Sequence, residues 1–323
     1  KVYDPYDYSA LDYQLVWADE FDGDTLDTDV WTHEIGGNGW GNDELQYYTN
    51  SGNNSYVSEG SLFIKLIKES YEGNDYTSAR LVTKGNQDFL YGKIEMSAKL
   101  PVGKGTWPAF WMMPTESYYG GWPNSGEIDI MEYVGYQPNT IHGTIHTGKY
   151  NHMLGTQVGV STTVNTAEED FHVYEIEWEV GTIKLYIDGI SFASFNYDPT
   201  NNTDVDSYQA WPFDKQFHLI LNTAFGGNWG GAQGINDSIL PVDFIIDYVR
   251  VYQKDYATMD KTAPHTISTI RSLRTTSDSL FLAWDLGVDD IMIKQYNIYI
   301  DGVLETNTTV NGYLLKGLQP QTN

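Results

Sequence analysis

The chain of 323 residues contains no cysteine. Disulfides, thiolate zinc sites and thiol catalysis are therefore excluded. Basic residues are scarce: 18 Lys and Arg stand against 44 Asp and Glu, a formal net charge of −26 at pH 7. Such a field repels nucleic acid and anionic membrane and favours a neutral or cationic partner. Solubility in a salty medium is another cause of the same acidity. No apolar run reaches the ~20 residues that a spanning helix needs, so no membrane span is expected. No signal-like apolar segment follows Lys1, so any export signal is expected to have been removed or never to have been there. Helical periodicity is missing too. Residues 166–170 (TAEED) form at most one turn.

What is present is aromatic and turn-rich: 10 Trp, 25 Tyr and 31 Gly, a mixture that suits many short strands and exposed aromatic platforms. Alternation supports strands at 61–68 (SLFIKLIK) and 92–100 (GKIEMSAKL). In the second, Ile94, Met96, Ala98 and Leu100 face in, while Lys93, Glu95, Ser97 and Lys99 face out. Residues 171–180 place Tyr174, Ile176, Trp178 and Val180 on one face and Glu175, Glu177 and Glu179 on the other. TIKLYI at 182–187 runs into Asp188-Gly189, a hairpin signal. FHLILNTAF at 217–225 is apolar enough to be central, and DFIIDYVRVY at 243–252 follows. So many antiparallel strands in one domain predict an all-β, two-sheet jelly-roll sandwich.

The stretch with chemistry in it is GEIDIMEYV at 126–134. Ile, Met, Tyr and Val make it a strand. Residues i and i+2 share a strand face, so Glu127 and Asp129 point the same way and Glu132 points the other way. One extra residue near Ile130–Met131, a β-bulge, returns Glu132 to the acidic face. Three carboxyls so close cannot all ionise freely, and at least one pKa rises. One ionised and one protonated carboxyl about 5–5.5 Å apart is the equipment of retaining glycoside hydrolysis. The plainer readings are a solvated face or a metal site. The large apolar neighbours and Trp-rich flanks weigh against the solvated one.

Four tryptophans stand nearby: Trp107 and Trp111 in GTWPAFWMM, Trp122 in GGWPNSG, and Trp229 in GGNWGG. Flat apolar faces match the C–H faces of pyranose rings. Loop-like surroundings favour cleft walls for Trp107, Trp122 and Trp229, whereas Trp178, inside an alternating strand, reads as core. Asn42, in GGNGWGNDELQYY, is placed to bind a sugar hydroxyl. Glu44, in the same segment, serves either the ligand or a structural salt bridge with Arg80. His146, in HGTIHT, either hydrogen-bonds one of the carboxylates or is a satisfied core histidine. No H-E-x-x-H or His-cluster spacing suggests catalytic zinc.

These residues resemble a known family. GEIDIMEYVG looks like the E-x-D-x-x-E signature of glycoside hydrolase family 16. Residues 31–49, 105–113, 211–231 and 247–253 resemble its laminarinase (endo-1,3-β-glucanase) branch, in order, across roughly residues 14–254. Lichenase-type members resemble E-x-D-x-E without the extra residue, so the chain leans away from them. The resemblance implies a concanavalin A-like jelly roll with an open concave cleft. It implies Glu127 as nucleophile, Glu132 as acid/base, Asp129 holding the nucleophile, and Arg80 and the tryptophans against substrate. It also implies a structural calcium at Glu20, Gly60 and Asp247, and no cofactor for catalysis. Calcium takes hard oxygen ligands, which these residues can supply.

The expected activity is retaining, endo-acting hydrolysis of β-1,3-glucan by a secreted or cell-surface monomer. Its alternatives are mixed-linkage glucan, a galactan, or a non-catalytic glycan-binding lectin. A polar boundary near 255–266 divides a catalytic domain (1–256) from a tail (257–323). Strands at 279–284 and 295–302 and the segment 312–322 resemble a fibronectin type III module cut short before its last two strands. Such a tail is expected to be weakly packed.

Overall fold

The computed structural model describes residues 12–255, 263–267, 269–285, 287, 295–308 and 311–318. Most of the irregular lead-in at 1–13, the middle of the boundary at 255–266 and the end of 312–322 lie outside these residues. Two large sheets form, one of ten strands and one of eight. The ten-stranded sheet has Gly92–Lys99, Val242–Lys254 and Ser61–Tyr71 at its centre. The eight-stranded sheet runs Val158–Thr163, Thr140–His146, Glu127–Tyr133, Thr106–Pro114, Phe217–Phe225, Arg80–Val82, Thr32–His33. Pairing is antiparallel except between Gln46–Tyr48 and Asn74–Ser78. This is the expected jelly-roll sandwich. Among the described residues no helix is long and apolar enough to cross a membrane.

The alternating patterns decide what lies between the sheets. Ile94, Met96 and Ala98 from one sheet meet Phe110, Met112, Ile128, Ile130 and Met131 from the other in one continuous apolar core. Trp178 is fully buried there, edge-on to Tyr91 and Phe217. The Asp188-Gly189 turn forms as read, with φ of 51° and 74°, the left-handed pair that a two-residue hairpin requires.

Three expectations are corrected. Trp107 sits on a strand, Thr106–Pro114, which it shares with Trp111, and not in a loop. A one-turn helix, Ser207–Ala210, forms where none was read. Its start is closed by the Gln209 amide oxygen, which accepts from the Asp206 N–H at 3.1 Å. The third correction concerns Lys93, Glu95, Ser97 and Glu175, which face away from the apolar core yet are buried. Alternation tells which side of a sheet a residue takes, but not whether water reaches that side. Here the charges are matched: Lys93 Nζ lies 2.9 Å from Glu175, and the Gly189 N–H donates to the same carboxylate at 2.8 Å.

The tail folds as a three-stranded sheet (Ile270–Thr275, Ser279–Trp284, Gly312–Lys316) and a hairpin (Tyr296–Ile300, Val303–Thr308). The strand read at 295–302 is thus a strand and the turn that reverses it. Its core is a small cluster of Trp284, Tyr296 and Ile298. Arg271 reaches the jelly roll through Asp206 at 2.9 Å.

Lys93→Met removes the ammonium from a buried carboxylate, and breaking a buried pair on one side only is strongly destabilising. The expected loss is about 3–5 kcal/mol of unfolding free energy, read by urea denaturation against the parent chain.

Candidate active site

The acidic strand Glu127–Tyr133 lies between Thr106–Pro114 and Thr140–His146. Along one edge Asp129 pairs with Thr144 and Glu132 with His142. Three steps on the acidic strand thus face two on its partner. Along the other edge Trp111 pairs with Asp129 and Phe110 with Met131, which again leaves one residue over. This is the β-bulge at Ile130–Met131. Ile128, Ile130 and Met131 all enter the core, while Glu127, Asp129 and Glu132 all line one cleft of about 290 Å³.

Each carboxyl has a specific partner. Trp122 Nε1 donates to Glu127 at 2.6 Å, and Trp107 Nε1 donates to Glu132 at 3.1 Å. His146 pairs across the strand with Glu127. Its Nε2 stands 3.4 Å from Asp129 and 3.9 Å from Glu127. The histidine therefore belongs to the acidic cluster, and ligand atoms of these three residues lie within 4.8 Å of one another.

The electrostatics follow from burial and crowding. Burial pushes the Glu127 carboxyl up to about 8, and the charge of Asp129 adds to the shift. His146 and the Trp122 N–H act against it. Burial pushes Asp129 up to about 7, with a hydrogen bond to Glu127 opposing the rise. Glu132 is raised well above the ordinary carboxylate range, by burial first and then by Asp129. At neutral pH the cluster therefore retains at least one proton, which a buried carboxylic acid can donate.

The cleft walls extend this centre. Trp107, Trp111, Trp122, Asn42 and Arg80 all line it. Trp229, read as a cleft wall, is not among the lining residues and instead packs edge-on to Trp107 at 5.4 Å and to His142 at 5.0 Å. The pairing of Glu44 with Arg80 does not form. Arg80 Nε binds Glu34 at 2.5 Å, and its guanidinium is sandwiched between Trp40 and Trp111, 4.7 Å from each ring. Glu44 instead accepts from Gln46 at 2.7 Å and from Asn42 at 3.2 Å. Glu44 therefore orients the Asn42 amide.

Among the cleft residues that the sequence did not single out are Trp40, Asn222, His152 and Met153. Trp40 stands in the Gly-rich GNGWGN segment, so its surroundings offered a signal. Asn222 accepts from Trp111 Nε1 at 2.7 Å and is a polar residue inside an apolar strand, also a usable signal. His152 and Met153 lie in an irregular loop and carried none.

Glu20, Gly60 and Asp247 lie together on the other sheet. Strands Tyr13–Asp19 and Ser61–Tyr71, beside Glu20 and Gly60, both pair with the strand carrying Asp247. Burial raises the Asp247 carboxyl, and the charges of Glu20 and Asp22 raise it further. A Cβ on Gly60 would lie 3.8 Å from the Asp22 carboxylate, so its backbone is part of the same cluster. Arg250 holds the Glu20 side chain at 2.7 and 2.9 Å, which leaves its carbonyl for any further ligand. Hard oxygens under mutual repulsion fit a calcium ion.

A jelly roll with crowded, partly protonated carboxyls in a tryptophan-walled trench defines a glycoside hydrolase. The model of the family described as glycosyl hydrolases family 16 matches residues 42–250. A β-glucanase of Rhodothermus marinus is 50% identical over 248 residues, covering 76% of this chain and 86% of that one. A glucan endo-1,3-β-glucosidase of Cryptopygus antarcticus is 42% identical over 231 residues, covering 69% and 84%. The X-ray structure of the laminarinase from Rhodothermus marinus superposes with a TM-score of 0.72 at 50% identity, over 75% of this chain and 97% of that one. The chain belongs to glycoside hydrolase family 16.

The raised carboxyls have a stability consequence with a definite sign. Between the ordinary value of 4.5 and about 8, folded Glu127 holds a proton that the unfolded chain has released. Folding is penalised across that window, not at all well below it and fully above it. Glu127→Gln is therefore expected to stabilise the fold at pH 7 by about 1–3 kcal/mol. The gain should vanish at pH 4 or below, as read by urea unfolding at the two pH values.

Proposed function

We propose that this protein is an endo-acting hydrolase of β-1,3-glucan that retains anomeric configuration by double displacement. One observation carries the reading: the bulge sets Glu127 and Glu132 on the same cleft face with Asp129 between them. Glu127 attacks the anomeric carbon while protonated Glu132 gives its proton to the leaving glycosidic oxygen. The glycosyl–enzyme ester is then cleaved by water, whose proton Glu132 takes back. The assignment of roles follows the pulls on each group. The Trp122 N–H and His146 pull Glu127 toward the ionised form that attack requires, against the larger pull of burial and Asp129, so the attacking form is the fraction of the cluster whose proton rests on Glu132 instead. Glu132 holds its proton because it is buried beside Asp129 and Glu127. Asp129 is the wedge: by repelling charge on both neighbours it ties the ionisation of one to the protonation of the other.

The substrate class is supported by the relatives named for β-1,3-glucan and by the aromatic walls. Arg80, locked between Trp40 and Trp111, and Asn42, oriented by Glu44, are proposed as hydroxyl ligands on one side of the acids. A lectin on this fold needs no acid pair, and here all the acids face the trench. Polymers of this kind do not cross membranes, which supports secretion or surface display. Glu20, through its carbonyl, with Gly60 and Asp247, is proposed to hold a structural calcium. Residues 1–256 are proposed as the catalytic domain and 257–323 as an appended fibronectin type III-like part.

Incubation with laminarin should release reducing ends from the interior of the polymer, with early products longer than disaccharides. Glu127→Ser is expected to lower kcat by at least about 10³-fold. Its circular dichroism and its affinity for laminarin should stay close to those of the parent. Near-parental turnover in that variant would remove Glu127 from the nucleophile's role.

A further inference from the structure

A cavity of about 890 Å³ lies apart from the acidic trench of about 290 Å³. It lies at the seam between jelly roll and tail. One wall is Tyr118, Tyr119 and Tyr208; the other is Phe281, Tyr313 and Leu314 with Lys316. Its size falls within the range of about 300–1,000 Å³ typical of small-ligand sites.

The jelly-roll wall is a fixed platform. Tyr119 and Tyr208 stack with centroids 4.8 Å apart and planes 11° from parallel. Tyr119 is held from behind: its hydroxyl donates to both Asp214 oxygens at 2.9 Å, and Lys215 Nζ sits 5.5 Å over its ring. Tyr208 is carried by the one-turn helix, which Arg271 of the tail ties through Asp206. Tyr118 is 43% exposed, although large aromatic surface gains most from being covered.

One loop lines both the seam and the trench. Loop residues Ser117, Trp122 and Ser125 line a side pocket that shares Arg80, Met113 and Trp122 with the trench. Tyr118, Tyr119 and Gly120, from the same loop, line the seam. The Ser125 hydroxyl accepts from the Tyr119 N–H at 3.0 Å and so fixes the two flanks relative to each other.

We propose that this tyrosine-walled seam is a second glycan site, holding a distal stretch of the same β-glucan chain that lies in the trench. The inference rests on the β-glucan reading above. The exposed Tyr118 ring, backed by the Tyr119–Tyr208 stack and faced by Phe281 and Tyr313, offers aromatic surface that matches pyranose C–H faces, Lys316 supplies donors for hydroxyls, and a neutral polymer meets no repulsion from an acidic protein. Holding one chain at two places raises the effective concentration of the next glycosidic bond at the acids. A short oligosaccharide cannot engage both places.

The test uses the full chain and two variants, one from each wall: Phe281→Ala with Tyr313→Ala, and Tyr118→Ala. The ratio of kcat/KM for laminarin to that for laminaritriose should fall about tenfold in both. Retardation in a native gel containing laminarin should weaken in parallel. Because Tyr118 lies outside the tail, its variant decides the matter if the tail variant misfolds. A ratio equal to the parent's, with unchanged retardation, would overturn the proposal. So would an equal fall for both substrates, which marks a seam that acts only through the fold. If the parent is retarded but releases no reducing ends, the hydrolase reading fails, and retardation alone then decides the seam.

Discussion

The bulge at Ile130–Met131 forces Glu132 onto the face that Glu127 and Asp129 already occupy. Without it the period of two would send Glu132 into an apolar core and Met131 into the trench. The bulge is held because both surplus side chains have somewhere to go. Ile130 and Met131 are fully buried among the core residues of two sheets. The core's demand for apolar volume thus fixes the crowding of carboxyls on the opposite side. Packing and chemistry are two faces of one strand, and a change on either is felt on the other.

That crowding is then made directional by indole N–H groups. Trp107 and Trp122 come from the adjoining strand and from the loop after it, and each donates to a different glutamate. Trp229 braces Trp107 edge-on and is itself met edge-on by His142, so the partner of Glu132 is fixed by a stack reaching back to the strand that pairs with Glu132 itself. His146 stands within 4 Å of Glu127 and Asp129 and acts on Glu132 from farther off. A cluster of equal acids becomes unequal through the identity of its neighbours.

The chain order shows how much of this could be read beforehand. Alternation alone located the core faces of Gly92–Lys99 and His172–Glu179, and counting residues in GEIDIMEYV located the bulge. Both succeed because side-chain direction in a strand is a local property. Pro108 hid the strand that carries Trp107 and Trp111, since proline argues against a central strand. Pairing with the acidic strand begins one residue later, at Ala109. The partner of Arg80 is not legible beforehand, because Glu34 and Glu44 are both remote from it in the chain and only the sheet geometry selects between them. His152 and Met153 reach the trench from a loop whose path no periodicity encodes.

Buried charge is handled in opposite ways on the two sheets. On the ten-stranded sheet, Lys93 faces Glu175, and Arg250 binds Glu20 with Glu95 at 3.8 Å. Between tail and trench, Asp214 is matched by Lys215 at 2.6 Å. In the trench, by contrast, His146 is the one basic side chain within 4 Å of the three carboxyls among the described residues. A chain able to pair its interior acids elsewhere leaves these under-compensated, and the physical result is carboxyls that hold protons at neutral pH. A substrate without charge is then the natural occupant. It adds no repulsion, it displaces water from groups already reluctant to ionise, and it presents an acetal oxygen that accepts the proton they retain. An anionic polymer would meet a trench that resists it, and a cationic one would be held by the very charge that turnover requires to move.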